Sequence, residues 1–339
     1  MTCPRLLPWL LLLALGGCLE HEELLVVDPH GGLEVTHTWR GDPPDLDGGA
    51  ARLPGREEGW QLQRSTRIKE DGKPEDTLVA RARFASAQAL PARFGPADEP
   101  LAAAQLEVET SLEVVPQAGR VVYRFRRSYA PRTWGPYAFL QKRAFPEEVK
   151  ALFKEAGDLE HMAAEKKRVL LEAVAGYERD KARHWADRAL ASAGGPGGEG
   201  DVGGRLAVRA AVDAVFQARV SLSELERLVR LPPDQLEAET RRLQAALEEA
   251  VVQAAAPALA RDEARLSRLR EQLRLLRRSF EVTEDLGDEA FVVRLTLPGR
   301  LIAHDADGVE GGALVWRFHG QDLRDRRHTL LAESVVESK

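Results

Sequence analysis

Cys18 is the residue best placed to take part in covalent chemistry. It follows Leu15, Gly16 and Gly17, behind a tip carrying Arg5 and an apolar run over residues 6–15. A basic tip, an apolar stretch and a small-residue site are the three parts of an export signal. The run is too short to cross a bilayer, which takes about 20 apolar residues. The other reactive side chains form no constellation. His21, His30 and His37 lie early in the chain and His304 sits beside Asp305 and Asp307, without HExxH or comparable ligand spacing. They read as surface histidines and turn-forming aspartates, and Glu22 with Glu23 as solvated charges. Gly195, Gly197 and Gly200 have dinucleotide-fingerprint spacing but follow a helical pattern, where that mechanism needs a preceding strand. There is no Gly-x-Ser-x-Gly elbow, P-loop or Ser-x-x-Lys. The expectation is no catalytic residue, no metal site and no cofactor.

The segment Leu15-Gly16-Gly17-Cys18 resembles the lipobox of bacterial lipoproteins. The resemblance implies cleavage between Gly17 and Cys18, a thioether-linked diacylglyceryl group on the Cys18 sulfur, and an acylated (palmitate-type) amine. Two or more chains anchor stably where one does not, at about 0.8 kcal/mol per buried methylene. Leu19 stands where an inner-membrane retention signal has Asp, which points to the outer membrane, facing the periplasm. The chain has 339 residues and two cysteines, Cys3 and Cys18, so cleavage and lipidation leave no disulfide and no free thiol. Losing Arg5 takes the formal charge from -6 to -7, a mild acidic excess that argues against general adhesion to nucleic acid.

The elements that must carry these residues change along the chain. Residues 24–27 and 33–39 read as a hairpin around Asp28-Pro29-His30-Gly31-Gly32, with Leu33, Val35 and His37 on one face. About five residues would separate lipid from fold, a reach of roughly 17 Å. Further strand pairs are expected at 60–68 with 78–84, and at 106–115 with 121–129. From Pro146 the pattern turns helical, with Glu147 and Glu148 in the first turn. Ser221 with Glu224 and Asp234 with Glu237 look like capping boxes, and Pro257 interrupts the last helical run. Strands return at 280–282, 291–297, 301–304, 313–319 and 329–336.

Leu297-Pro298-Gly299 after a strand, a turn at Asp307-Gly308, the aromatic strand Val315-Trp316-Arg317-Phe318, and a closing strand alternating Leu330, Ala332 and Ser334 resemble the end of the LppM-type domain of some bacterial lipoproteins. The resemblance covers that segment and, more loosely, the early strand pair. It implies a β-sheet module in the envelope with a lipid-facing groove. Leu222, Leu225, Leu228, Leu231, Leu236 and Leu243 have the look of a helix-turn-helix core. Export and the acidic start of the second helix, Asp234, Glu237 and Glu239, oppose DNA binding, so they read as packing positions. Residues 261–278 hold seven arginines and three acids, a net +4, with Leu266, Leu269, Leu273 and Leu276 as a seam. Arg261, Arg265, Arg268, Arg274, Arg277 and Arg278 are candidates for contact with anionic lipid or polymer, against the simpler reading of a packed leucine face with arginines in water.

The sequence therefore predicts an α+β protein: a signal peptide at 1–17, a β-rich region at 18–145, an all-helical insertion at 146–280, and a β-rich region at 281–339 that completes an antiparallel sheet built from both ends of the chain. The expected role is non-catalytic binding of an apolar ligand or lipid by a protein held on the membrane through Cys18. The alternative is a protein-interaction scaffold in which the helical insertion meets an envelope partner. A nucleic-acid partner is not expected.

Overall fold

The computed structural model describes residues 19–43, 46, 53–56, 59–70, 72–94, 102–155, 162–194, 202–228 and 230–337. Gly17, Cys18 and the glycines at 195, 197 and 200 lie outside them. The chain is α+β and divides into two compact units, a helical one over 135–278 and a sheet unit formed by 19–134 with 279–337.

In the sheet unit the strands are β1 (Glu20–Val27), β2 (Leu33–Gly41), β3 (Gln61–Ile68), β4 (Pro74–Phe84), β5 (Val108–Gln117), β6 (Arg120–Tyr129), β7 (Ala290–Thr296), β8 (Arg300–His304), β9 (Gly308–Glu310), β10 (Ala313–His319) and β11 (His328–Glu337). They form two sheets, not one. The larger has the order β3-β4-β2-β1-β7-β10-β9 and the smaller β5-β6-β11-β8. Each contains strands from both ends of the chain. The expectation of a purely antiparallel sheet needs one correction, because β1 and β7 run parallel, Glu20 opposite Ala290 through Val26 opposite Thr296. Parallel neighbours need a long return between them, and the intervening chain supplies it.

Period-two alternation sets the inward faces. Leu25, Val27, Leu33 and Val35 from the larger sheet share one core with Leu112, Tyr123, Phe125 and Leu330 from the smaller. Asp28 closes the first hairpin, its Oδ1 accepting from the backbone N–H of His30 at 2.7 Å and of Gly32 at 3.0 Å. Pro116, expected in a turn, lies in β5, an edge strand where a missing N–H is tolerated. The Leu297-Pro298-Gly299 turn needs its glycine: Gly299 has φ +80° and a Cβ there would sit 2.2 Å from the Val335 carbonyl oxygen.

Leu19 is itself buried and its carbonyl accepts from Ala290 N–H at 3.2 Å. The expected five-residue tether is therefore absent. The strand expected from residue 24 begins at Glu20 and pairs along its full length.

The helical unit comprises α1 (Gly135–Ala144), α2 (Glu147–Glu155), α3 (Ala164–Ser192), α4 (Val202–Arg219), α5 (Leu222–Leu228), α6 (Pro233–Ala255) and most of α7 (Glu263–Asp285), whose last turns from Ser279 belong to the sheet unit. Helix thus begins at Gly135 and not at Pro146, with Pro136 in the first turn of α1 and Lys142 and Arg143 in its last. Glu224 N–H donates to Ser221 Oγ at 3.3 Å, as the capping pattern predicts. The second cap is displaced: α6 starts at Pro233 behind Pro232, placing Asp234 inside the first turn. Residues 280–282, expected as strand, continue α7. Phe280 stacks on Trp134 at 5.8 Å and 10°, a tertiary contact that overrides the strand propensity of Phe-Glu-Val-Thr.

Candidate binding site

One end of the sandwich core is polar. Across the β1/β2 ladder, Glu23 stands opposite His37 and His21 opposite Trp39, continuing inward the rows begun by Leu25, Val27, Leu33 and Val35. From the smaller sheet, β6 sends Arg127 and Tyr129 inward on the face of Tyr123 and Phe125. Glu23 and His37, expected in solvent, are 5% and 3% exposed. The correction has a plain cause, since strand alternation assigns these positions to the core whatever their side chains are.

Arg127 Nε lies 2.8 Å from Glu23 Oε2, which also accepts from the Tyr129 hydroxyl at 2.9 Å. Arg127 Nη1 donates to Thr110 Oγ1. Burial alone would raise the Glu23 carboxyl. The Arg127 charge, then His37 and the bonds from Arg127 and Tyr129, hold it below its ordinary value. Burial lowers His37 to about 4, against the opposing pull of Glu23 and with help from Arg127 and His21. Burial and the neighbouring Glu23 carboxylate push the Tyr129 hydroxyl up. Near neutral pH the cluster is thus an ionised pair, a neutral phenol and a neutral imidazole. His21 Nε2 lies 2.8 Å from Glu289 Oε2, close enough for an ion pair but not aligned as a hydrogen bond.

Beside this cluster is a cavity of about 60 Å³, walled by His21, Glu23, His37, Trp39, Phe94 and Arg127, with Leu90, Gln105, Leu106 and Phe291 among the other lining residues. A water needs about 10–15 Å³ of such space, so the void holds a few waters or one compact group, not an acyl chain. His37 is set among aromatic rings: Trp39 stacked at 5.2 Å, Trp60 at 5.4 Å, and Phe94 edge-on at 5.5 Å. The 91–94 segment that carries Phe94 is tied to β5 by Val108 N–H donating to Ala92 O at 2.8 Å.

The arginines singled out from sequence lie elsewhere. Arg261 is in the turn before α7, with φ +55°, and Arg265, Arg268, Arg274, Arg277 and Arg278 are on α7. Leu266 and Leu269 of the seam are buried and Leu273 and Leu276 pack against the same core. Arg274 makes a two-pronged pair with Glu248, at 2.9 and 2.6 Å. Arg274 and Arg277 also line a second void of about 50 Å³ in the helical unit, with Trp185 and Leu247. Trp316 is buried and donates from Nε1 to Asp305 Oδ1 at 2.8 Å, so Asp305 bonds as well as turns. Among the described residues no group of three His, Cys, Asp or Glu has metal-site geometry, and no helix is long and apolar enough to cross a membrane.

No protein-family model matches the chain, and no curated protein is similar to it in sequence. Among solved structures it is similar to the folded domain of LppM from Mycobacterium tuberculosis, determined by NMR. That alignment has 9% identity and a TM-score of 0.28, covering 95% of this chain and 92% of that one. A superposition at that score defines no common fold.

Proposed function

We propose that this protein is a lipid-anchored, non-catalytic binding module of the bacterial envelope, and that the cavity at the polar end of its sandwich takes a compact, partly apolar ligand. The observation that carries the reading is the cavity itself: apolar and aromatic walls around a few convergent buried polar groups, the composition of small-molecule sites. Two features support binding over catalysis. Glu23 is held ionised and His37 neutral, so neither is poised to exchange a proton near pH 7. The lining residues named above include no hydroxyl, thiol or amine nucleophile. The anchor belongs to the same proposal. His21 and Glu23 follow Cys18 by three and five residues at about 3.3–3.6 Å each, which keeps this end of the sandwich close to the headgroups of the outer membrane.

The lipidated chain in phosphatidylcholine nanodiscs, screened by thermal shift against small amphiphiles, tests the binding. At least one compound should raise the melting temperature, and a panel without any shift refutes the reading. Cys18→Ala should move the protein out of the membrane fraction and abolish the diacylglyceryl mass on the N-terminal peptide. Unchanged fractionation would refute the anchor.

A further inference from the structure

Among the residues that line the cavity, His37 carries a buried hydrogen-bonding atom with nothing to bond. His37 Nε2 is shielded from solvent and has no hydrogen-bond partner, while the ring stacks on Trp39. A buried polar atom of this kind is uncommon, because leaving it unsatisfied is costly. The other ring nitrogen decides what Nε2 can do. His37 Nδ1 lies 3.7 Å from Glu23 Oε1, an oxygen of the carboxylate whose other oxygen takes both Arg127 and Tyr129. A proton on Nδ1 faces that negative charge and is favoured there, and Nε2 of the neutral ring is then a lone-pair acceptor.

Charge fixes the rest of the specification. Glu23 and Arg127 neutralise one another at 2.8 Å, so a cationic ligand would meet the guanidinium and an anionic one the carboxylate, each without a free counter-charge. The remaining walls are Trp39, Phe94 and Phe291 with aliphatic groups, the His21 imidazole and the neutral Gln105, so they add no fixed charge beyond the pair. From this arrangement we infer that the cavity selects a neutral, compact, flat or apolar ligand that presents one N–H or O–H donor to His37 Nε2. This rests on the binding role proposed above and names the ligand class for the same site.

Pyrrole and furan separate the donor from the body, being nearly equal in size and shape and differing in the N–H. Each is titrated into the lipidated chain in phosphatidylcholine nanodiscs, with quenching of tryptophan fluorescence as the readout and empty nanodiscs as the partition control. Pyrrole should bind about fivefold or more tightly than furan, the preference expected when one buried acceptor is satisfied or left bare. His37→Phe, which keeps a ring against Trp39 and removes Nε2, should bring the two affinities together. The wild-type comparison stands without the variant, should that variant fold poorly. Equal binding of pyrrole and furan overturns the donor requirement while the binding role survives. A preference that persists in His37→Phe overturns the assignment to Nε2. If neither compound binds while another amphiphile stabilises the protein, this inference falls alone, and if nothing binds the binding role falls with it.

Discussion

Replacing Arg127 with Met strands Glu23. The two side chains are 3% and 6% exposed and 2.8 Å apart, so the carboxylate loses its counter-charge in a site shielded from bulk solvent. Removing one partner of such a pair costs about 3–5 kcal/mol. The Tyr129 hydroxyl at 2.9 Å remains as a donor, which places the expectation at the lower end, about 3 kcal/mol. The sign of the pH dependence also changes. In the native protein the folded-state carboxyl is held below its ordinary value, so its stabilisation is present above the unfolded pKa and fades as pH falls. Without Arg127, burial dominates and raises the carboxyl, so the folded state binds the extra proton and the variant's deficit grows as pH rises from 5 to 8. Urea unfolding read by tryptophan fluorescence suits the measurement, because Trp39, Trp60, Trp134 and Trp316 all lie in the sheet unit. Glu23→Gln combined with Arg127→Met should recover part of the loss, since no unpaired charge is left behind. A single-variant cost below about 1 kcal/mol, the range of exposed pairs, and flat between pH 5 and 8, would refute the buried-pair account.

Two further outcomes follow from particular contacts. His37, lowered to about 4 by burial while facing Glu23, Arg127 and His21, stays neutral in the fold where the unfolded chain takes up a proton. Its contribution is therefore complete above about pH 6.5 and is lost progressively down to about 4, roughly 3 kcal/mol over that window. His37→Phe should flatten that part of the stability profile, and an unchanged profile would contradict it. Gly320→Ala would set a Cβ 1.6 Å from the Leu286 carbonyl oxygen, a backbone atom, whereas Gly308→Ala meets nothing within 4 Å. Thermal melts should show the first losing about 2 kcal/mol or more and the second staying within about 0.5 kcal/mol.

Alternation made the hairpins legible. Leu33, Val35 and His37 fell on one face by counting alone, and the breakers around residues 28–32 and 298–299 marked real turns. The split into two sheets was not legible, because strand partners such as β1 and β7 are some 270 residues apart in sequence and no local pattern records them. The same distance hid the site. Glu23 and Arg127 each sit in an inward register with apolar neighbours, Leu25 and Val27 in one case and Phe125 and Tyr129 in the other. A charge in that register was a signal available from the sequence, and reading Glu22 and Glu23 as a solvated pair passed over it. Which charge meets which needed the fold. The end of α7 was misread for the opposite reason. Its β-branched residues speak for strand, yet Arg132 donates to Ser279 O at 2.9 Å and to Thr283 Oγ1 at 3.0 Å, holding the last turns helical.

Packing alone does not account for the polar end of the sandwich. A buried ion pair replaced by apolar residues of similar volume is often as stable or more so, and a void beside it forfeits contacts that a larger side chain would make. Here both occur together, with His37 Nε2 left bare at the same place. The doubly substituted Glu23→Gln, Arg127→Met protein separates two explanations. If the pair serves only to specify the fold, the double variant should still distinguish pyrrole from furan once it is folded. If the pair sets the His37 tautomer and the neutrality of the cavity, the variant should fold with most of its stability and lose the preference. The second outcome is the one the geometry predicts, because the 3.7 Å approach of Glu23 Oε1 to Nδ1 is what leaves Nε2 an acceptor.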